Sequence, residues 1–210
     1  MTNNRDIIIR IDNIVYGGYG LGRLDGKVIF VESAIPGDIV KITIKEEHKD
    51  YSIAIIEKII ESSPQRMKSD CPVSHLCGGC SYLHVNYATE LEYKRIIIKD
   101  QLKRVARIDE DLPVIETIYE ERYGYRSHTR FNSDNNIKGF FKKGSNQIIE
   151  FPSKGCLLLS DEISGKIKDY KTKSVKTEVK AASDCNGVIH FCENNSSAEI
   201  IEYEQGIYFH

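Results

Sequence analysis

The chain has 210 residues and a formal net charge of −2 at pH 7, with 40% hydrophobic and 29% charged residues. This mixture is typical of soluble globular proteins and excludes a chain that is disordered throughout. The near-neutral charge excludes a bulk polycation, so any nucleic-acid surface must arise from local clustering of cations. The chain shows neither a signal peptide nor a run of about 18–20 apolar residues, which predicts a cytoplasmic protein with no membrane partner.

The N-terminal region contains four segments rich in β-branched residues, at intervals of about ten residues: 7–16, 27–32, 39–47 and 51–62. Such short strands predict a small antiparallel barrel, similar to the OB-fold, over residues 1–62. The segment GGYGLGR after the first strand is predicted as a tight loop. It lacks the third glycine of the dinucleotide-binding fingerprint, because Arg23 stands there, and no helix follows, so we exclude a Rossmann site.

Residues 63–108 are predicted to hold a polar linker, a cysteine-rich loop and one long helix. The helix is predicted over residues 87–108, with Asn86 or Thr89 as its N-cap. Its apolar residues at helical spacing, expected to form the buried face, are Leu91, Ile98, Leu102 and Val105.

Residues 109–210 are predicted to form a central α+β domain with an antiparallel sheet. Strands are expected at residues 125–132, 137–141 and 147–151, and the Asn186-Gly187 turn predicts a hairpin. A short helix is expected over 160–171 with Ser160 as its cap, and residues 199–210 read as a last strand.

Three of the six cysteines, Cys71, Cys77 and Cys80, fall within ten residues, a spacing that favours a metal site over disulfides. Cys156, between two apolar segments, is the candidate fourth ligand. Four thiolates suit an iron–sulfur cluster, whereas zinc could instead recruit His75 or His84. A third alternative is that the thiols are unrelated. Cys185 and Cys192 are interpreted as plain thiols in a hairpin.

The segment from Arg126 to Lys154 combines six cations with interleaved aromatic residues and only two acidic ones. Cations pair with phosphates and aromatic rings stack on unpaired bases, which is typical of single-stranded RNA recognition. The alternative is an ordinary strand surface above core aromatics. The candidate RNA contacts, including one arginine of the N-terminal region, are Arg23, Arg126, His128, Arg130, Phe131, Lys138 and Phe140.

The order of these parts resembles a known family. GGYGLGR, GKVIFV and AIPGD are similar to a TRAM domain, and CPVSHLCGGCSYLH, YATELEYKR, YRSHTRF and KGC resemble iron–sulfur-containing RNA uracil-C5 methyltransferases, which make 5-methyluridine in bacterial 23S rRNA. The resemblance implies that Cys71, Cys77, Cys80 and Cys156 bind a [4Fe-4S] cluster. It also implies that the barrel and residues 126–131 contact RNA.

In that family a C-terminal domain binds S-adenosylmethionine and carries the cysteine nucleophile, and nothing in the 210 residues matches it. We therefore expect the RNA-recognition half of a methyltransferase, inactive by itself, that positions an unpaired rRNA loop. The alternative is a free-standing RNA-binding protein with a structural cluster and no catalysis. A redox sensor is a third reading, which leaves the basic aromatic segment unexplained.

Overall fold

The computed structural model describes residues 7–108, 117–184 and 186–193. These residues form two compact units, and the loop with the three clustered cysteines belongs to the second of them. Residues 7–69 with 81–108 belong to the first, which we call the barrel unit. Residues 70–80 with 119–184 and 186–193 belong to the second, the sheet unit. The compact units therefore do not follow the three successive regions expected from the sequence. The long helix packs with the barrel, and the cysteine loop packs with the sheet.

The barrel unit is built on a closed barrel with the strand order β1-β2-β3-β5-β4. Its strands are β1 Ile7–Val15, β2 Tyr19–Leu24, β3 Lys27–Glu32, β4 Ile39–Glu47 and β5 Tyr51–Glu61. Alternate aliphatic residues of these strands fill the interior, among them Ile11, Ile29 and Val40. The predicted barrel is confirmed, but it has five strands rather than four, and β3 pairs with β5 in parallel.

The extra strand, β2, lies within the GGYGLGR segment that was expected to be a loop. Its glycines mark close packing between strands: a Cβ atom at Gly22 would lie 2.5 Å from the carbonyl oxygen of Arg10 on β1. Glycine is unfavourable in an isolated strand, and here the close approach of a second backbone accounts for it. Only residues 16–18 remain as the connection between β1 and β2.

Helix α1, Tyr87–Arg104, begins at Asn86, whose side chain accepts a hydrogen bond from the Thr89 N–H at 2.8 Å. Its buried face carries Tyr93 and Ile97, which pack in a small apolar cluster of the barrel unit. The predicted buried face is wrong, because Ile98 and Val105 are 54% and 72% exposed. The helix carries apolar residues on two different faces, and periodicity alone does not select between them.

The polar segment after β5 was expected to be a linker, but residues 63–67 are attached to the barrel. The Arg66 guanidinium forms an ion pair with the fully buried Asp38 and donates to the carbonyl oxygen of Ser33 at 2.8 Å. The Tyr93 hydroxyl donates to the Gln65 side chain. These contacts tie α1 and the segment before it to the barrel.

The sheet unit contains an antiparallel sheet with the strand order β10-β9-β6-β7-β8. Its elements are β6 His128–Asp134, β7 Ile137–Phe141, β8 Ile148–Glu150, helix α2 Asp161–Asp169, β9 Lys176–Ser183 and β10 Ile189–Glu193. The predicted meander, the Ser160 cap and the Asn186-Gly187 hairpin are confirmed. Phe131 and Val179 of the sheet pack with Ile163 and Ile167 of α2 to form the core.

In the part of the chain that the structure describes, no helix is long and apolar enough to cross a membrane. The expected strand over residues 199–210 and the position of Cys185 lie outside the described residues.

Candidate functional site

The cysteine loop is held against strand β7 of the sheet unit by backbone hydrogen bonds. The N–H of Gly78 donates to the Phe141 carbonyl oxygen at 2.9 Å, and the N–H of Lys143 donates to the Leu76 carbonyl oxygen at 3.1 Å. A Cβ atom at Gly78 would lie 2.9 Å from the same Phe141 oxygen. Glycine at position 78 therefore allows the loop to approach β7 this closely.

Cys156 reaches the same unit from a tight turn before α2. It packs at the edge of the sheet-unit core, and this burial raises the pKa of its thiol. Hydrogen bonds from the N–H groups of Leu158 and Leu159 lower the pKa by a smaller amount. Arg126 is bonded to this turn through its backbone, donating to the Leu158 carbonyl oxygen at 2.9 Å. The turn and the start of β6 are thus one connected structure.

All four predicted ligand cysteines lie within electrostatic range of one another. Burial, followed by the charges of Cys156, Cys77 and Cys71, raises the pKa of Cys80 to about 12. Burial also raises the pKa of Cys77 and of Cys156, and Cys71 adds to both shifts. Neighbouring thiolates disfavour one another, so a bound cation would favour the thiolate forms of Cys77, Cys80 and Cys156.

The described cysteines form no disulfide. Among the described residues, no group of three or more His, Cys, Asp and Glu side chains is arranged to hold a metal ion. The donor set nevertheless fits an iron–sulfur cluster in chemistry: four thiols in one unit, with a backbone N–H directed at Cys77 Sγ from Gly79 at 3.4 Å. Of the alternative zinc ligands, His84 belongs to the barrel unit and His75 is exposed on the cysteine loop.

The guanidinium of Arg126, predicted as an RNA contact, lies beside the cysteines. Its charge lowers the pKa of both Cys80 and Cys156, against the larger effect of burial. It also lies 5.7 Å from the centre of the Tyr125 ring, a cation–π contact. Arg126 therefore connects the cysteine site with an exposed aromatic residue.

Strand β6 presents two of the predicted RNA contacts to solvent. His128 and Arg130 are exposed, whereas Thr129 and Phe131 between them are buried. Arg130 lies directly opposite Lys180 of β9 in the register. Two cationic side chains are therefore neighbours across these two strands. Sequence reasoning missed Lys180, because only the register of β9 brings it to Arg130.

Three predicted RNA contacts have other positions. The Phe131 ring is fully buried in the core and is not available to stack on a base. Phe140 packs edge-on against Phe151, at 4.9 Å between ring centres, and lies against the cysteine loop. The Lys138 ammonium donates to the carbonyl oxygens of Ile167 and Lys168 at the end of α2. The alternative of core aromatics under an ordinary strand surface is correct for both phenylalanines, and we remove all three residues from the candidate contacts.

Arg23, the remaining candidate, lies on strand β2 of the barrel. It is exposed, and its guanidinium donates to the Gly26 carbonyl oxygen at 3.2 Å. It lines a groove on the barrel surface together with aromatic residues.

Comparison with known proteins agrees with this architecture. Residues 4–56 match the family model described as TRAM domain. This part of the chain is a TRAM domain. The matched residues cover the TRAM barrel up to β5, which is where the sequence placed the resemblance.

The sequence similarity to individual proteins extends beyond the TRAM domain. An uncharacterized RNA methyltransferase of Aquifex aeolicus is 33% identical over 161 residues, which cover 77% of this chain and 37% of the relative. An uncharacterized RNA methyltransferase of Listeria monocytogenes is 29% identical over 180 residues, 83% of this chain and 38% of the relative. The chain is homologous to RNA methyltransferases, and it spans less than half the length of these relatives.

A solved structure has the same fold. The tRNA (uracil-54, C5)-methyltransferase of Pyrococcus abyssi, crystallised with S-adenosyl-L-homocysteine, matches with a TM-score of 0.55 and 20% sequence identity. The match covers 88% of this chain and 45% of that chain, so it includes both units.

Proposed function

We propose that these residues are the RNA-recognition part of an S-adenosylmethionine-dependent RNA (uracil-C5) methyltransferase. The supporting observation is that the similarity to RNA methyltransferases covers 77–83% of the chain in two relatives, well beyond the TRAM domain. The target would be a uridine in an unpaired loop of ribosomal RNA, and methyl transfer would require a catalytic domain outside these 210 residues. The site of action would be the cytoplasm.

In this proposal the two units hold RNA by different means. Arg130 and Lys180 would contact phosphates across the exposed face of the sheet, with His128 beside them. Such contacts set the position of the RNA, while contacts with bases select it. The TRAM domain would supply the second surface, through Arg23. A base that is to be methylated must leave the stack of bases. This is the reason why the chain would hold the RNA on both sides of the target base.

The proposal includes a [4Fe-4S] cluster held by Cys71, Cys77, Cys80 and Cys156. The bound cluster would link the cysteine loop to the turn before α2, and its positive iron centres would keep the four thiols deprotonated. Arg126 supports the thiolate form of Cys80 and Cys156, and the N–H groups of Gly79 and Leu158 donate toward the sulfurs. In this proposal Arg126 would lie next to the cluster and would also contact the RNA.

The RNA-binding part is tested by the salt dependence of affinity. We expect Arg126→Ala and Arg130→Ala each to weaken binding of a single-stranded rRNA loop and to reduce the slope of log K against log salt by about 0.7. Lys171→Ala, at an exposed lysine after α2, is the matched control and should leave the slope unchanged. Slopes that stay the same in both arginine variants would place the RNA surface elsewhere.

The cluster is tested by metal analysis of protein purified without oxygen. About four irons and four acid-labile sulfides per chain, with visible absorption, are expected for one [4Fe-4S] cluster. One zinc per chain and no sulfide would contradict the cluster and indicate instead an RNA-binding unit that is stabilised by zinc. Neither metal in a folded protein would remove the metal site from the proposal.

A further inference from the structure

The segment that leads into β6 is paired with the turn that carries Cys156. The N–H of Gly124 donates to the Leu157 carbonyl oxygen at 2.9 Å, and the N–H of Ser160 donates to the Arg126 carbonyl oxygen at 3.1 Å. Gly124 has a φ of 67°, a left-handed conformation that glycine adopts without strain. A side chain that is anchored in this segment is therefore anchored to the Cys156 turn as well.

The side chain of Tyr123 joins this segment to the start of the cysteine loop. Its hydroxyl donates to the Asp70 carboxylate at 2.7 Å. Its ring is half-buried, and the Arg122 guanidinium lies 5.7 Å from the ring centre. A hydroxyl that donates to a carboxylate forms a stronger hydrogen bond than a neutral pair does. Because Asp70 directly precedes Cys71 in the chain, this bond links Cys71 to the turn that carries Cys156.

We propose that Tyr123 is a positioning residue of the cysteine site, which holds Cys71 next to Cys156 through Asp70 and thereby controls how firmly the four thiols keep a cluster. The inference rests on the proposed [4Fe-4S] cluster. Neither Tyr123 nor Asp70 is a predicted ligand; both act on the site through the position of Cys71.

The cysteines of the loop differ in how they are attached to the sheet unit. Cys77 lies where the backbone of the loop pairs with the end of β7. Cys71 lies at the other end of the loop, close enough to Cys156 for its charge to raise the pKa of that thiol. Asp70 is the residue at which the chain enters the sheet unit, and its side chain attaches this end of the loop to the segment before β6. Removing the Tyr123 hydroxyl should therefore free Cys71 more than Cys77.

The first measurement uses the metal-free protein, in which alkylation reports on each thiol separately. The full 210-residue chain, reduced and treated with a chelator, is reacted with iodoacetamide at constant pH, and mass spectrometry assigns the modified cysteines. We expect Tyr123→Phe and Asp70→Ala each to speed the alkylation of Cys71 by about five- to tenfold, as for the loss of one partly exposed hydrogen bond. Alkylation of Cys77 should rise less. Tyr16→Phe, which removes a tyrosine hydroxyl from the barrel unit, is the matched control and should leave the rate at Cys71 unchanged.

Two further variants separate positioning from general support of the fold. Asp70→Asn keeps an acceptor oxygen for the hydroxyl, so Cys71 should react within about twofold of the wild-type rate. The double variant Tyr123→Phe with Asp70→Ala should react no faster than either single variant, because both substitutions remove the same bond. An equal increase at all four predicted ligand cysteines would show that the hydroxyl stabilises the whole unit. An unchanged rate at Cys71 in both single variants would show that the bond does not hold this residue. Either outcome would overturn the inference.

The second measurement uses protein purified without oxygen. The loss of visible absorption after addition of an iron chelator gives the rate at which iron leaves the protein. We expect Tyr123→Phe to lose iron about five- to tenfold faster than the wild type, and Tyr16→Phe to lose it at the wild-type rate. Equal rates in all three proteins would overturn the control of cluster retention. Wild-type protein without iron would overturn the proposed cluster, whereas the alkylation rates would still decide whether Tyr123 positions Cys71.

Discussion

The two units reach a stable core by different routes. The barrel closes on itself, so none of its strands is an edge, and its interior is filled by aliphatic residues such as Ile11, Ile29 and Val31. The sheet unit has two edges, one of them the three-residue strand β8, and α2 packs against its core. Its core is partly aromatic and includes Cys156 at its border. In a closed sheet every strand is hydrogen-bonded to a neighbour on both sides. An open sheet has edge strands without such a neighbour on one side, so it depends more on contacts with other segments.

The comparison predicts that loss of one cysteine damages the sheet unit alone. If Cys156 is a cluster ligand, we expect Cys156→Ser to lose iron and to destabilise the sheet unit by at least about 5 kcal/mol, because metal binding is coupled to folding. Hydrogen exchange followed by mass spectrometry reads each unit separately. Barrel amides should keep their protection. Cys192→Ser in β10 is the control, and an unchanged melting transition in Cys156→Ser would show that the cysteines do not staple the unit.

The barrel unit has a different weak point, the buried contact between Asp38 and Arg66. The Asp38 carboxylate is fully buried and accepts hydrogen bonds from the N–H groups of Ile35 at 3.0 Å and Ser63 at 2.9 Å. Asp38→Asn leaves Arg66 without a counter-charge and should destabilise this unit by about 3–5 kcal/mol. Urea denaturation checks this. Glu57→Gln, which removes the exposed partner of Lys41, should cost less than about 1 kcal/mol.

The same contact predicts how the barrel unit responds to acid. Burial raises the pKa of Asp38, but hydrogen bonds from Arg66, Ser63 and Ile35 outweigh it and hold the pKa below its ordinary value of 3.8. The contribution to stability is therefore fully present above the unfolded pKa and is lost as the pH falls through the folded one. Urea midpoints measured between pH 6 and pH 2 should fall in the wild type. In Asp38→Asn this part of the fall should vanish; an identical fall would assign it to other carboxylates.

Close packing between β1 and β2 predicts an effect of intermediate size. Gly22→Ala would place a Cβ atom 2.5 Å from the Arg10 carbonyl oxygen, so the backbone must shift. We expect a loss of about 1–3 kcal/mol, the usual cost of overpacking. Thermal unfolding of the variant measures it. A Gly22→Ala variant as stable as the wild type would show that the two strands can separate without cost.

The smallest expected effect has the opposite sign and lies in the sheet unit. Gly165 is inside α2, and a Cβ atom added there would meet nothing within 4 Å. Gly165→Ala should therefore stabilise the unit by about 0.5–1 kcal/mol, because alanine loses less backbone entropy in a helix. Denaturation of the two glycine variants side by side tests whether packing or propensity decides each position.

Much of the fold follows from local patterns. Alternation of β-branched residues identified β1, β3, β4 and β5, and the Asn186-Gly187 turn identified the β9–β10 hairpin. The glycines of β2 led to the wrong prediction of a loop, because glycine-rich segments are usually loops and the close approach of the neighbouring strand is not visible in the sequence. For α1, the sequence offers one apolar stripe through Ile98 and another through Ile97, and contact with the barrel buries the second.

The candidate site shows the same division between pattern and packing. Spacing alone pointed to Cys71, Cys77 and Cys80, because close cysteines in a chain are close in any fold. Cys156 was predicted as the fourth ligand from its position between two apolar segments and from the resemblance. Its proximity to the loop, from which more than seventy residues separate it, follows only from the fold of the sheet unit. The basic aromatic segment made Arg126 and Arg130 candidate RNA contacts, but it did not show which aromatic rings face solvent. In β6 neighbouring residues point to opposite sides of the sheet, and packing against α2 decides that Phe131 is inside while Arg130 is outside, opposite Lys180.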